Sequence, residues 1–538
     1  MEAIPEKELK IIYSQDKTGQ GGITWDLEKN NIYGRYMVAL RDINPGELIF
    51  QEVPLVFGPS VYNPVLICLG CTRHMIDDVG CVKCGWPLCS EKCPLLSVHR
   101  TAECTHLAKY SGELRESGEF DLNLLNSILY IRIILLKNCN KDAWNRFHVL
   151  DSMLEAWKET GFEDENENIK LIRDKFGIKI CSEEEVLTVI STCSTNAFSK
   201  YLEPGLITSE PDKGPGLLGT TALVSPRPGE APGRVGTKAR VMFLLSSMMS
   251  HSCFPNAEQT IGSQVDGMQF ELRATRPILK GEQIQISYVD LLEPTLIRQY
   301  NLLKNKLFVC SCIRCMDPRE LGSNCGVVKC LSCIKQGTQP PGELLSSTKD
   351  MCVWTCSRCG VNSSFTKVRN LMFKINEEVQ DLVNTPSTTI QEYEKFLGKY
   401  GKILNPKNGL LLKSKYQLCG MYGRVPGYTL SDLSPELLER KRNICEDIFE
   451  TLNILQPGRT SRRGLILYEL HASLILAGRT KLQTDRKAGV SDLKLGLKYL
   501  QESLEILKTE PRGTLSYKIY QGGQESLSQV QQFVISFL

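Results

Sequence analysis

The stretch Cys68–Cys104, CLGCTRHMIDDVGCVKCGWPLCSEKCPLLSVHRTAEC, decides how this chain folds, because its thiols are too many and too regularly spaced to be simple core residues. It reads Cys68-x2-Cys71, Cys81-x2-Cys84 and Cys89-x3-Cys93, then His99 and Cys104. Paired thiols at this spacing, joined by a histidine, are the pattern of tetrahedral zinc sites, and eight ligands fill two of them. Sulfur and imidazole suit zinc, whereas magnesium and calcium want oxygen. The order predicts interleaving, with Cys68, Cys71, Cys89 and Cys93 at one site and Cys81, Cys84, His99 and Cys104 at the other. So short a segment builds little core, so metal supplies its folding energy. His74 and His106 read as surface histidines.

Working outward, Cys310-x-Cys312-x2-Cys315 is one ligand short of a tetrahedron, and Cys253 is the natural fourth. That zinc would tie the segment after residue 300 to the segment around 250 and place Phe308 over a pocket formed earlier in the chain. Cys330-x2-Cys333 and Cys356-x2-Cys359, with Trp354 before the second pair, read as a zinc ribbon. The stretch GTQPPGELLSSTKD between the pairs reads as a loop. Cys325 and Cys352 fall outside the pattern, and Cys139, Cys181, Cys193, Cys419 and Cys445 read as core thiols.

The 22 cysteines also speak to compartment. The N-terminus MEAIPEKELK lacks the apolar stretch of a secretory signal, and no apolar run is long enough for a membrane span. A reducing compartment, cytoplasmic and/or nuclear, is expected, where Cys-x-x-Cys means metal rather than disulfide. The net charge of +3 without a dense basic block argues against nucleic-acid binding.

Residues 32–57, IYGRYMVALRDINPGELIFQEVPLVF, alternate around Asn44-Pro45-Gly46 and predict a β-hairpin. Residues 268–288, MQFELRATRPILKGEQIQISY, repeat that plan around Lys280-Gly281. Between them, LLNSILYIRIILL (124–136) predicts a buried helix and RFHVLDSMLEAW (146–157) a further helical stretch. EDENEN (163–168) reads as a solvated edge, with an acidic docking patch as the alternative. The Gly/Pro-rich stretch 204–237 reads as a flexible insertion. After residue 365, apolar residues recur at helical spacing and predict six to eight helices, paired in the manner of tetratricopeptide stacks. This region either forms a peptide-binding groove or braces the other domains.

Taken in order, these pieces resemble the SET and MYND domain-containing proteins, in their arthropod branch. Gly34-Arg35 is similar to the first SET motif, and Cys68–Cys104 to the MYND finger. His251-Ser252-Cys253-Phe254-Pro255-Asn256 resembles the central SET signature, and Gly281-Glu282-Gln283-Ile284 with Ser287-Tyr288 the closing motif. Phe308 with Cys310, Cys312 and Cys315 resembles the post-SET segment, and Asp317–Gly322, leading into the ribbon, its arthropod version. The resemblance implies a multidomain α+β architecture. A SET β-fold is interrupted by a MYND finger and a helical insert, then followed by a post-SET zinc segment with its ribbon and an all-α, tetratricopeptide-like domain. The expected divisions are 1–60 for the SET N-terminal part, 61–105 for the finger and 106–192 for the helical insert. They continue as 193–295 for the SET core, 296–364 for the post-SET segment and ribbon, and 365–538 for the helical domain.

The activity implied is transfer of a methyl group from S-adenosylmethionine to a protein lysine, histone or non-histone, by a protein-lysine N-methyltransferase acting as a chromatin regulator. Tyr288 and His251 would be catalytic. Gly34, Arg35, Asn196, Ser250, His251 and Phe308 would surround the methyl donor, and about four zinc ions would staple the chain. Partners would be a lysine-bearing protein or peptide and a proline-rich peptide at the finger; a monomer is expected. Asn256 is expected to hold a turn, and Glu282 to stabilise one. Three positions depart from the family pattern. Ser250 stands where asparagine is usual, Tyr36 where a second glycine is common, and Lys306 where an aromatic is common, two residues before Phe308. The alternative is therefore a catalytically weak or inactive zinc-dependent scaffold or transcriptional regulator.

Overall fold

The computed structural model describes residues 24–30, 34–60, 67–72, 75, 80–93, 95–110, 123–160, 165–201, 238–262, 268–346, 353–385, 387–512 and 514–537. His74, Cys352, residues 163–164 and the whole Gly/Pro-rich stretch (204–237) lie outside them.

Among the described residues, three small sheets form the N-terminal half. The first has the order β1 (Trp25–Asn30), β2 (Gly34–Ala39), β10 (Gln283–Ile286), β7 (Ser250–His251). The second is β3 (Leu48–Glu52), β9 (Phe270–Ala274), β8 (Ala257–Ile261), and the third β4 (Val56–Ser60), β6 (Lys238–Met242), β5 (Phe198–Tyr201). The two predicted hairpins do not form. β2 and β3 lie in different sheets, as do β9 and β10. Instead the two strand-turn-strand units pair with each other. β2 joins β10 with Met37 opposite Ile284, Ile43 bridges Ile278, and β3 joins β9 with Glu52 opposite Phe270. Each unit is an arch spanning two sheets. Alternation tells which face a residue takes but not which strand lies beside it, and the eight residues between β2 and β3 are long enough to change sheet.

The finger is not a separate bead. Ile67, Leu69, Trp86 and Leu88 join one core with Ile131, Ile134, Val241 and Phe243. The buried helix α1 (Ile128–Cys139) carries Arg132 into that core. Arg132 donates to Phe57 O at 2.8 Å and Leu69 O at 2.6 Å, and to both oxygens of Glu103 at 2.6 and 2.9 Å. One side chain thus pins strand, helix and finger together.

The stretch 146–157 is not one helix. A helix ends at Phe147 and another starts at Leu154, with Met153 in the left-handed region and its N–H bonded to Asp151 Oδ1 at 3.0 Å. That local side-chain bond competes with the helical one. Helix α2 (Glu183–Asn196) opens on a capping box of Ser182 and Glu185. It runs across the division expected at 192/193, and α3 (Thr295–Lys306) crosses that at 295/296. Part of the predicted ribbon loop is strand. β12 (Glu343–Ser346) pairs with β11 (Val328–Lys329) and β13 (Val353–Cys356), which pairs with β14 (Asn362–Ser364).

Seven helices follow among the described residues, α4 (Phe365–Asn384), α5 (Ile390–Tyr400), α6 (Gly409–Met421), α7 (Pro435–Leu455), α8 (Ser461–Lys481), α9 (Arg486–Leu507) and α10 (Leu515–Ile535). Thr389 with Glu392 caps α5, and Ser434 before Pro435 caps α7. Helices α8 and α9 pack through Gly478 and Gly489. A Cβ on Gly478 would stand 2.9 Å from Gly489 O, so only glycine allows this approach. No described helix is long and apolar enough to cross a membrane.

Candidate functional site

Four groups of ligand atoms gather as the spacing predicted. They are Cys68, Cys71, Cys89, Cys93; Cys81, Cys84, His99, Cys104; Cys253, Cys310, Cys312, Cys315; and Cys330, Cys333, Cys356, Cys359, each with all ligand atoms within 4.8 Å. Sulfurs about 2.3 Å from one zinc stand roughly 3.8 Å apart along the edges of a tetrahedron. The Sγ–Sγ distances are 3.7 Å for Cys68–Cys93, 3.8 Å for Cys71–Cys89 and Cys81–Cys104, and 3.7 Å for Cys330–Cys359 and Cys333–Cys356. Disulfides need about 2.05 Å. The thiols are free and the donor set is soft, so the groups fit zinc.

The structure supplies outer contacts that spacing alone could not show. Glu103 Oε1 accepts from His99 Nδ1 at 2.8 Å, turning Nε2 to within 3.3 Å of Cys84 Sγ. Burial pushes the Glu103 carboxyl up, but Arg132 and His99 outweigh it and hold it below the usual range. Around Cys253, Arg298 Nε donates to its Sγ at 3.2 Å and Arg298 Nη2 to Cys315 Sγ at 3.4 Å. Glu320 Oε2 accepts from Arg298 and Arg314, each at 2.7 Å. Two buried arginines thereby offset a four-thiolate centre. The visible signal for Glu103 was its place four residues after His99; Arg298, Arg314 and Glu320 carry no motif.

Several other assignments change. Cys139 is exposed, not a core thiol, because α1 ends there, while Cys181, Cys193, Cys419 and Cys445 are buried. His106 is half-buried rather than on the surface, whereas Cys325 stands apart from every group, as expected, donating to Leu292 O at 3.1 Å.

The zinc group at Cys253 adjoins the candidate reaction site. His251 Nε2 lies 3.2 Å from Cys253 Sγ, and His251 Nδ1 accepts the backbone N–H of Tyr288 at 3.0 Å. The Tyr288 hydroxyl donates to Met249 O, leaving its oxygen lone pairs to accept. Burial of that hydroxyl pushes its pKa well up, so it stays protonated, while 36% of the residue remains exposed. The ring of Phe308 stands 6.0 Å from His251 and 6.5 Å from Tyr288. Asn256 fixes the neighbouring strand, donating to Gln283 O at 2.8 Å and accepting from Gln285 N at 2.9 Å. Glu282 accepts from Leu279 N at 3.1 Å across the turn.

The remaining predicted donor-site residues take defined places. Gly34 has φ +65°, and among the described residues a Cβ there would meet nothing within 4 Å. Arg35 is half-buried, opposite Lys29. Asn196 spends its amide hydrogens on Asp151 O at 2.7 Å and Thr192 O at 2.9 Å, and its backbone carbonyl accepts from Ser247 at 3.2 Å. Ser250 Oγ accepts from Gln283 Nε2 at 2.6 Å. Tyr36 donates to Glu28 at 2.7 Å, bound to the next strand. The Gly34 backbone, the half-buried Phe308 ring and the free Asn196 side-chain oxygen fit an adenosyl methyl donor. His251 has both ring nitrogens engaged, Nδ1 with the Tyr288 N–H and Nε2 beside Cys253 Sγ. A polar cavity of about 230 Å³ is lined by Glu258, Thr275, Ser287, Val289, Asp290 and Arg462, and Tyr288, His251 and Phe308 do not line it.

Comparison with known proteins shows what the chain is similar to. The SET domain matches residues 34–289. The SET domain-containing protein SmydA-8, isoform A, of Drosophila melanogaster is 24% identical, covering 83% of this chain and 88% of its own length. A SET and MYND domain-containing protein of Dictyostelium discoideum is 23% identical over 54% of this chain and 81% of its own length. The N-lysine methyltransferase SMYD2-A of Xenopus laevis is 27% identical over 32% of this chain and 34% of its own length.

Proposed function

The chain is a SET and MYND domain-containing protein of the arthropod branch, and on that premise we propose that it transfers a methyl group from S-adenosylmethionine to the side-chain amine of a protein lysine. The observation that carries the reading is the Tyr288 hydroxyl, whose hydrogen goes to Met249 O so that its oxygen faces the site as an acceptor. When bound, the donor supplies an electrophilic methyl on a sulfonium sulfur. The chain's work is alignment of a neutral amine with that methyl.

Tyr288 serves twice. Its oxygen accepts weak contacts from polarised C–H groups, and its ring walls the amine's path. His251 is a positioning residue, holding the Tyr288 backbone at 3.0 Å. Phe308, placed two residues before Cys310, offers a ring for adenine. Gly34, Arg35, Asn196 and Ser250 complete the donor site. The proton displaced from the amine goes to water. A proline-rich peptide at the finger is the further partner of this reading.

One observation favours the alternative of a weakly active scaffold. Asn196 has no amide hydrogen left for a ligand, and Ser250 is tied to Gln283. Calorimetric titration of zinc-loaded protein with S-adenosylmethionine separates the two, beside Ser250→Asn and Tyr288→Phe. One-to-one binding, with methyl transfer lost in Tyr288→Phe, supports the enzyme. Binding by Ser250→Asn but not by the natural chain supports the scaffold.

A further inference from the structure

Lys306 is the last residue of α3. Its Nζ donates to Thr195 O at 2.5 Å and stands 5.7 Å from the centre of the Tyr288 ring. Thr195 precedes Asn196, whose carbonyl is held by Ser247. The amine therefore ends where α2, the 246–251 segment and Tyr288 converge. An aromatic at this position would only wall the space, whereas lysine puts an amine in it.

Resting on the methyl-transfer reading above, we propose that Lys306 is itself a methyl acceptor, a modification site methylated at Nζ within its own chain. The groups that face this amine are the Thr195 carbonyl, the Tyr288 ring and the Arg240 guanidinium on β6. Burial, and after it the charge of Arg240, brings the amine down to about 8. Ordinary lysines titrate near 10.4, so at slightly alkaline pH Lys306 is neutral far more often than a surface lysine. Only a neutral amine has the lone pair the reaction needs.

The step balances. The Nζ lone pair forms the N–C bond as the C–S bond of S-adenosylmethionine breaks. Sulfur keeps that electron pair, giving S-adenosylhomocysteine, and the nitrogen releases one proton to water. A monomethyl amine retains an N–H for Thr195 O, so the product keeps its dock.

The test uses the full-length, zinc-loaded chain. In donor-free protein, competitive labelling with trace acetic anhydride across pH reads the titration of each lysine. After incubation with S-adenosylmethionine, digestion and mass spectrometry locate added methyl groups. Lys306 is expected to titrate near 8 and to gain one methyl at a rate independent of protein concentration. The gain should vanish in Tyr288→Phe and in Lys306→Arg, which keeps the charge. Lys306 titrating with the surface lysines overturns the inference whatever the donor does. Donor binding by calorimetry with no methyl on Lys306 overturns this inference alone. No donor binding overturns the methyl-transfer reading, and the inference with it.

Discussion

His251 links Tyr288 to a zinc ligand: its Nδ1 accepts the Tyr288 backbone N–H at 3.0 Å while its Nε2 lies 3.2 Å from Cys253 Sγ. Cys253 in turn stands 3.9 Å from Cys310 Sγ, two residues after Phe308. Tyrosine, histidine, metal group and late aromatic are therefore one mechanical unit. The ring must carry its proton on Nε2, because Nδ1 is the acceptor.

His251→Ala removes both contacts at once. A buried N–H left without its acceptor costs about 1–3 kcal/mol. The variant is expected to melt earlier and to release the Cys253 zinc faster to a chelator, with the finger zincs unaffected. Thermal melts and metallochromic dye absorbance read this. Unchanged melting with unchanged zinc release would mean that the ring bears no such load.

The ribbon zinc should leave first. Cys359 is exposed, whereas the ligands of the other three groups are buried or half-buried. Dye-monitored chelation is expected to show one fast equivalent followed by three slow ones. Cys359→Ser should abolish the fast phase and leave the others. Release of all four in one phase would refute the ordering.

The ligand groups were legible because zinc imposes local spacing, and Cys-x-x-Cys states its geometry within four residues. Tyr288, His251 and Phe308 were legible as a motif in fixed order. What spacing could not show was pairing at a distance. The arches of 32–57 and 268–288 looked like two hairpins because period-2 alternation is the same whichever strand lies alongside. The outer contacts were hidden for a similar reason. Arg132 lies in a run of isoleucine and leucine, and only the fold brings Glu103 and Leu69 to its guanidinium. Lys306 was visible as a departure, but not that its amine turns toward Tyr288.

Arg132→Met tests the link between core and finger. Methionine fills the apolar space but leaves Glu103 buried without its cation. Breaking one side of a buried pair costs about 3–5 kcal/mol. Loss of the brace behind His99 should also weaken zinc at that site by about 10–100-fold. Differential melting and zinc competition should move together. A fall in stability with undiminished zinc affinity would show that Glu103 holds His99 without help from Arg132.

Glu469 sets an acid limit for the helical domain. One of its oxygens accepts from Arg424 and the other from the buried Lys441 at 2.7 Å. Burial pushes the carboxyl up, but Arg424 and Lys441 outweigh it and bring it down to about 2. A free glutamate titrates near 4.3, so the unfolded chain takes up this proton first as pH falls. The contribution is complete above about pH 4.3 and is lost as pH drops toward 2, an amount on the order of 3 kcal/mol. Glu469→Gln leaves the buried Lys441 and the half-buried Arg424 uncompensated, so at pH 7 it should cost about 3–5 kcal/mol. It should also flatten the dependence of the urea midpoint on pH between about 4.3 and 2, because the titrating group is gone. Equal slopes in the two chains would place the acid sensitivity elsewhere.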